Sequence, residues 1–147
     1  MPLEQMNRAW TCGRNSRTGT KPSLMASPEA PRRGEVWLVS LGARREGEPG
    51  KTRPAVVVST DALRSAAPRE LIVVVPLSSS STPSALRIEV EPGVSGLDQP
   101  SRAMCRAIRS VAATRMERRL GWVLDTQMRQ IEAALALILE IPSPEVP

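Results

Sequence analysis

The sequence predicts a mainly β protein with one C-terminal α-helix, arranged as a small, partly open β-barrel. Two observations predict this fold class. Short runs of apolar and β-branched residues follow one another closely from residue 31 onward, and one segment with helical periodicity closes the chain. A chain of 147 residues and 16.0 kDa has room for one ordinary domain with its own core, and two would be crowded.

The first two predicted strands flank a charged loop. Residues 35–41 alternate apolar side chains on both faces, which is typical of a strand covered on both sides. Residues 42–53 form a loop rich in Gly, Pro and charge, and Pro54 then begins a second β-branched strand, where a proline at the first position is tolerated. Residues 61–70 are a polar connector with one helical turn.

The later strands differ in how much of each is buried. Residues 71–77 are the most apolar stretch and predict a central strand, in which Pro76 marks a bulge or the strand's exit. Residues 86–91 alternate with their even-numbered side chains facing inward, as in a half-exposed antiparallel strand. Residues 101–112 contain at least one more strand, and residues 120–124 another short one.

The predicted helix has a capping residue at its start and a proline after its end. Asp125 or Thr126 caps it and Pro142 ends it. Between these points apolar residues recur at helical spacing, at Met128, Ile131, Leu135 and Ile138.

Residues 1–30 differ from the rest of the chain. They are rich in Ser, Thr, Pro, Gly and Asn and show no periodicity, so we expect a disordered extension ahead of a single domain at residues 31–147. Met25 lies just before the first patterned segment, and we hypothesise that it is the true start, with residues 1–24 an artefact. An intact mass that includes residue 1, measured on natively expressed protein, contradicts this hypothesis.

Missing residue types exclude several function classes. The chain has no His, which excludes a histidine acid–base pair, a Ser-His-Asp triad and a histidine metal site. It has no Tyr or Phe, which excludes an aromatic RNA-stacking sheet. The formal net charge of +5 is compatible with nucleic acid but equally with an ordinary soluble protein.

The two cysteines and the hydropathy pattern bear on the cellular compartment. Cys12 and Cys105 lie far apart and fit neither a zinc pattern nor a disulfide framework, and Cys105 is expected to be a small buried hydrophobe. No run approaches the roughly 18 apolar residues of a membrane span, and the N-terminus has no signal-peptide core. We therefore expect a cytoplasmic protein without a membrane partner.

The loop before the second strand is a candidate anion site. Residues 44–53 hold four cations and two carboxylates, and Arg53 comes directly before Pro54, which gives it a defined direction and a fork of donors suited to phosphate. The alternative is a solvated loop with local ion pairs such as Arg45 with Glu48.

Two further polar features each allow two interpretations. The hydroxyl residues 78–84 follow the central strand and either donate to a phosphate or form a flexible polar turn. Arginines along the last third of the chain form either a basic track for an RNA backbone or a solvated face. They are Arg102, Arg106, Arg109, Arg115, Arg118 and Arg119.

Three segments occur in a defined order: RRGEVW at residues 32–37, GEPGKTRPAVVVS at residues 47–59 and VPLSS at residues 75–79. The segments and their order resemble the MazF/PemK toxin family. The resemblance runs over residues 31–140, about three-quarters of the chain.

The resemblance implies a fold, an activity and a site. The fold is an SH3-like small barrel of the CcdB/PemK type, assembled as a homodimer with single-stranded RNA in a groove across the interface. The activity is sequence-specific endoribonuclease cleavage, in which a 2′-OH attacks the adjacent phosphate and leaves 2′,3′-cyclic phosphate and 5′-OH ends without a cofactor or metal. The family's catalytic arginine and threonine fall on Arg53 and Ser78, and the RNA-binding candidates are Glu48, Lys51, Ser79 and Trp37.

The same resemblance implies a partner and leaves rivals open. The partner is a cognate antitoxin whose acidic C-terminal tail covers the RNA groove. Two departures from the family pattern, Ser78 for threonine and Pro49 for glutamine, put sequence preference in doubt. The rival functions are a gyrase-binding toxin of the same fold, whose Trp-Gly-containing end the chain lacks, and an inactive RNA-binding dimer.

Overall fold

The structure is a computed structural model that describes residues 30–43, 45–48, 50–63, 67, 69–80 and 82–142. The predicted N-terminal extension, apart from Ala30, and the hypothesis on Met25 therefore lie outside the described residues.

Seven strands and one α-helix make up the described part of the chain. The strands are β1 (Glu35–Ser40), β2 (Thr52–Val57), β3 (Leu71–Ser78), β4 (Arg87–Val90), β5 (Ser101–Met104), β6 (Arg109–Ala112) and β7 (Met116–Trp122). The helix is α1 (Asp125–Ile138), and three short 3₁₀ turns lie at Asp61–Leu63, Cys105–Ala107 and Ala113–Arg115.

The strands form one antiparallel sheet in the order β4-β5-β3-β2-β1-β7, and β6 also pairs with β3. Among the described residues, β4 and β7 end this order without pairing to each other, so the sheet is open along that line. The predicted fold class, mainly β with one C-terminal helix, is confirmed.

The alternation of each central strand produces two apolar layers. Successive side chains of a strand point to opposite faces. On β2, Val56 belongs to one cluster, and Ala55 and Val57 belong to the other. We call the first of these the inner cluster, which includes Val36, Val56, Val75 and Leu77 of the sheet. It packs against α1 through Met128, Ile131 and Ala134. The outer cluster lies on the opposite face and consists of Val39, Leu41, Ala55, Val57, Ile72, Val74 and Val111.

Two strand boundaries differ from the prediction. β2 begins at Thr52, so Arg53 lies inside the strand and not at the end of the loop, because its pairing with β1 continues through Val39↔Arg53 and Ser40↔Thr52. β7 begins at residue 116, four residues before the predicted start at 120. Its charged first half did not look like a strand, because an edge strand buries little.

Pro76 lies where β3 changes partner. Along one edge β3 pairs with β6 from Leu71 to Val74 and with β5 from Leu77 to Ser78. The proline falls in the gap between these two ladders, where its missing N–H costs little. It therefore marks a change of partner in a strand that continues to Ser78.

The predicted caps of the helix are wrong. The N-cap residue is Leu124, whose N–H donates to Oε1 of Gln127 at 2.9 Å, and Asp125 is already in the first turn, where a negative charge is favourable. The helix ends at Ile138, before Pro142, and Glu140 adopts a left-handed φ of 52°. Such a residue after the helix end closes the last turn.

Candidate functional site

The register of β2 and β3 brings the two predicted catalytic residues together. Ala55 pairs with Pro76 and Val57 with Val74. Continued by two residues along each strand, this register places Arg53 opposite Ser78. Directly opposed residues of antiparallel strands lie on the same face with Cβ atoms roughly 5 Å apart. The structure thus juxtaposes two residues that are far apart in the sequence.

Arg53 and Ser78 line one cleft with a volume of about 300 Å³. Its walls come from the loop before β2, the end of β3 and the loop between β4 and β5. The lining residues are Lys51, Thr52, Arg53, Pro54, Leu77, Ser78, Ser79, Ser80, Leu97, Asp98, Gln99 and Ser101. Of the six predicted site residues, four therefore share this cleft: Arg53, Ser78, Lys51 and Ser79.

Arg53 is held by the turn that precedes it. Its Nε donates to the carbonyl of the buried Gly50 at 3.1 Å, which orients the guanidinium. Among the described residues, the two terminal nitrogens of Arg53 have no hydrogen-bond partner. Those nitrogens are the pair that forms bidentate bonds to a phosphate.

Lys51 closes the loop in a strained conformation. Its N–H donates to the carbonyl of Gly42 at 2.7 Å, and its carbonyl accepts from the N–H of Leu41 at 2.9 Å. Its φ is 63°, a left-handed value that is costly for a residue with a side chain. These bonds keep the exposed ammonium group of Lys51 on a fixed stretch of backbone beside the cleft.

Ser78 ends β3 with its hydroxyl in contact with the loop that follows. Its Oγ accepts from the N–H of Ser80 at 3.3 Å and lies 3.3 Å from the Oγ of Ser80. A serine hydroxyl can both accept and donate a hydrogen bond, so this oxygen has the chemistry needed to contact a phosphate. Ser79 and Ser80 are both exposed at the cleft.

The wall of the cleft that the loop between β4 and β5 forms was not predicted from the sequence. Asp98 and Gln99 belong to the irregular segment between β4 and β5. Buried Ser95 holds this segment, because its Oγ donates to the carbonyl of Glu91 at 2.6 Å and accepts from the N–H of Leu97 at 3.4 Å. Residues 92–100 show no periodic pattern, and two polar residues before a strand are only a weak indication of a site.

Gly96 fixes the same segment against β7. A Cβ at this position would lie 2.1 Å from the carbonyl oxygen of Leu120, and the glycine has φ +72°. Only glycine permits both the close approach and this backbone conformation. The position of Asp98, two residues later, therefore depends on this contact.

Two predicted RNA-binding residues lie outside the cleft lining. Glu48 is exposed in the turn between β1 and β2, where its N–H donates to the carbonyl of Arg45 at 3.0 Å. Trp37 packs against the outer cluster, and its Nε1 donates to Oε2 of Glu35 at 2.8 Å. Their roles in RNA binding stay predictions.

The arginines predicted as a track are spread over several places. Arg109 and Arg115 donate to backbone carbonyls near the end of β1, those of Leu41 at 3.2 Å and Ser40 at 3.5 Å. Arg119 pairs with Glu35 at 3.4 Å on the edge of the sheet. Arg102 lies on β5 directly opposite Ser78 and is therefore the member of the set closest to the two catalytic candidates.

Cys105 is fully buried in the inner cluster, as the sequence predicts. Burial raises the pKa of its thiol to about 11, and a bond to its own backbone lowers it by less. A thiol with a raised pKa is a weak nucleophile. Cys105 is thus part of the core and not of the cleft.

Metal and membrane features are also defined for the described residues. Within the described ranges, no group of three or more Asp, Glu, Cys or His side chains is arranged to hold a metal ion. No helix in the described part of the chain has the length and apolar character that crossing a lipid bilayer requires.

Comparisons with known proteins agree with the resemblance seen in the motifs. The model of the family described as PemK-like, MazF-like toxin of type II toxin-antitoxin system matches residues 32–139. Endoribonuclease MazF9 of Mycobacterium tuberculosis (strain ATCC 25618 / H37Rv) is 35% identical over 114 residues, which cover 75% of this chain and 97% of that protein.

Solved structures share the fold. MazF from Deinococcus radiodurans superimposes with a TM-score of 0.67 at 17% identity and covers 78% of this chain and 100% of its own. An endoribonuclease in complex with its cognate antitoxin from a mycobacterial species superimposes with a TM-score of 0.62 at 24% identity, again over 78% of this chain and 100% of its own. At these identities the likeness shows the fold alone.

Proposed function

The chain belongs to the PemK-like, MazF-like toxin family of type II toxin–antitoxin systems, and from this we propose that it is a sequence-specific endoribonuclease that cleaves single-stranded RNA. One observation carries the proposal: the sheet register and the shared cleft bring Arg53 and Ser78 together. The 35% identity to a protein named an endoribonuclease supports the same activity.

The proposed reaction uses a nucleophile supplied by the RNA. The 2′-oxygen forms a bond to the adjacent phosphorus, and the bond from phosphorus to the 5′-oxygen breaks. The products are a 2′,3′-cyclic phosphate and a 5′-OH, and no metal or cofactor is needed to generate the nucleophile. The protein has to bind the phosphate, stabilise its growing negative charge, take a proton from the 2′-OH and give a proton to the leaving 5′-oxygen.

Arg53 and Ser78 stabilise the phosphate in this proposal. Arg53 presents its terminal nitrogens to the phosphate oxygens, and Ser78 donates its hydroxyl to the same group. A guanidinium is a poor base, so Arg53 is assigned to charge stabilisation and to protonating the leaving 5′-oxygen. Lys51 and Ser79, on either side, bind the flanking backbone.

Asp98 is the candidate base for the 2′-OH. It is the one carboxylate among the residues that line the cleft, and it stands on the wall formed by the β4–β5 loop. A carboxylate accepts a proton far more readily than an arginine does. This assignment divides the acid and base roles between two walls of the cleft.

The biological setting is proposed on the same basis. We place the active domain at residues 31–147, with a cytoplasmic location and a homodimeric state. The neutralising partner is an antitoxin with an acidic C-terminal tail, which suits a chain of net charge +5. The fold likeness to an endoribonuclease solved in complex with its cognate antitoxin supports this partner.

The experiment is cleavage of a long RNA in EDTA by the wild type, Arg53→Ala and Ser78→Ala, with cut sites and end chemistry mapped. We expect defined cuts with cyclic-phosphate ends, and a loss of roughly 100- to 1,000-fold in rate for each variant, as for other preorganised donors. Arg118→Ala is the matched control, because Arg118 lies on edge strand β7 and pairs with Leu38, on the sheet face opposite to Arg53. Absence of cleavage by folded wild type would contradict the proposal and favour the gyrase-binding or inactive RNA-binding alternatives.

A further inference from the structure

A row of polar side chains crosses the sheet beyond Ser78. Ser78 on β3 pairs with Arg102 on β5, and Arg102 pairs in turn with Glu89 on β4. With Arg53 on the other side of Ser78, these four residues form the polar row: Arg53, Ser78, Arg102 and Glu89. Because directly paired residues share a face, all four side chains project from the face opposite to α1.

The polar row lies where the outer cluster stops. All strand residues of the outer cluster belong to β1, β2, β3 and β6, and none of its described members lies on β4 or β5. The side chains of Arg102 and Glu89 are 25% and 65% exposed. An RNA strand that crosses this face from Arg53 past Ser78 therefore reaches Arg102 next.

The spacing of the row fits a second phosphate. Neighbouring strands lie about 4.8 Å apart, so Arg102 is one strand from Ser78 and roughly 10 Å from Arg53 across the sheet. Long arginine side chains at this separation reach neighbouring phosphates of one extended strand from two sides. Arg102 also follows Ser101, which itself lines the cleft.

Arg102 forms an ion pair with a carboxylate at the surface. Its Nη2 lies 3.1 Å from Oε1 of Glu89. A pair of this kind contributes little net stability and is screened by salt. A phosphodiester that accepts two parallel hydrogen bonds from the guanidinium can replace a surface carboxylate that is contacted through one oxygen.

We infer that Arg102 binds the phosphodiester next to the scissile one, and that Glu89 is the counter-ion that the RNA displaces. This inference rests on the proposed function and adds a second backbone contact to it. Glu89 then weakens the binding of RNA in general, because every strand that occupies the site must first replace it.

The test is the equilibrium binding of a pool of short 2′-O-methyl RNAs of randomised sequence, measured by fluorescence anisotropy over a series of salt concentrations. These probes lack the 2′-OH nucleophile, so binding is measured without cleavage. Arg102→Gln is expected to weaken binding about three- to tenfold at low salt. It also lowers the slope of log K against log salt by about 0.7, the value for one lost contact to a single-stranded phosphate.

Two further variants separate binding from a structural role. Arg102→Lys keeps the charge and is expected to keep the wild-type salt slope, which makes it informative even if Arg102→Gln folds poorly. Glu89→Gln breaks the same ion pair from the other side and is expected to strengthen binding about twofold, because it removes the competitor. If the pair only supports the sheet, both Arg102→Gln and Glu89→Gln weaken binding, and that result overturns the inference.

The matched control is Arg118→Gln, which removes the same charge from a side chain on the opposite face of the sheet. It is expected to bind with nearly the wild-type affinity and slope. Wild-type behaviour of Arg102→Gln, or an equal loss in Arg118→Gln, would overturn the inference. Failure of the proposed function would instead show as absent cleavage of unmodified RNA by the wild type, whatever Arg102 does.

Discussion

The face of the sheet that points away from α1 is divided into an apolar half and a polar half. The outer cluster fills the first half with buried valines and their neighbours, and the polar row occupies the second. The boundary runs through Arg53, whose neighbour on β1 is the fully buried Val39 and whose expected neighbour on β3 is Ser78. One half of the face can therefore supply rigidity while the other half supplies chemistry.

This arrangement explains how the side chain of Arg53 is kept in place without support from a histidine or a metal. The strands that carry Arg53 and Ser78 are fixed by valines on both faces, so only their ends are open to solvent. Preorganised donors on rigid strands lose little energy to reorganisation when charge develops on a phosphate. Substitutions in the two halves should consequently affect different measurements.

A substitution in the polar half, Asp98→Asn, keeps the shape of the cleft wall and removes the proposed base, and it is expected to have a larger effect than any substitution in the apolar half. The rate of cleavage should fall by about 100-fold or more, as is usual for the loss of a positioned base. Single-turnover cleavage of one mapped RNA site by the wild type and the variant measures the change in rate.

Asp125→Asn is the control for Asp98→Asn, because Asp125 is in the first turn of α1 and outside the cleft lining. It should leave the cleavage rate unchanged. A rate for Asp98→Asn within a few-fold of the wild type would remove Asp98 from the mechanism and leave the proton to another acceptor.

A smaller effect of a different kind is expected from Val74→Ala in the apolar half. Val74 is fully buried, so the free energy of unfolding should fall by about 2 kcal/mol through lost burial and a residual cavity. Urea denaturation measures the change, and the cleavage rate per folded molecule should stay near that of the wild type. Val94→Ala, at a valine that is 46% exposed, is the control and should change stability by less than about 0.5 kcal/mol. Loss of cleavage in folded Val74→Ala would contradict the division of the face.

The smallest effect concerns the core beneath the polar half. Burial raises the pKa of Cys105 to about 11, so the native state keeps the thiol proton at pH values where the unfolded chain releases it. Its contribution to stability is therefore complete below the ordinary thiol pKa and is lost as pH rises toward 11. Denaturation midpoints over that window should fall, and the fall should be shallower in Cys105→Ala. A slope that is the same in both proteins would mean that the thiol is open to solvent.

The sequence predicted the strands of the sheet better than their pairing. Alternation in residues 35–41 and 71–77 reports that both faces of each strand are covered, which is a local property. The pairing that brings Ser78 beside Arg102 depends on where β5 joins β3, after β6 has paired with the first half of the same strand. No local pattern contains that information.

The candidate site was predictable only in part. Arg53 and Ser78 were identified from motifs, although Arg53 lies inside β2 and not before it as predicted. Asp98 was missed because it lies in a loop whose position depends on Gly96 approaching the backbone of Leu120, a contact between distant segments. The N-cap of the helix was also predicted wrongly as Asp125 or Thr126, since it is Leu124, whose N–H donates to Gln127.

The most direct test of the central claim, that Arg53 and Ser78 act on one phosphate, is a double-mutant cycle of single-turnover cleavage rates. The rates are measured for the wild type, Arg53→Ala, Ser78→Ala and the double variant on one mapped RNA site. Residues that act as a unit show strongly non-additive effects, so we expect the double variant to lose much less than the product of the two single losses. A loss equal to that product would show that the two residues act independently and would contradict the site described above.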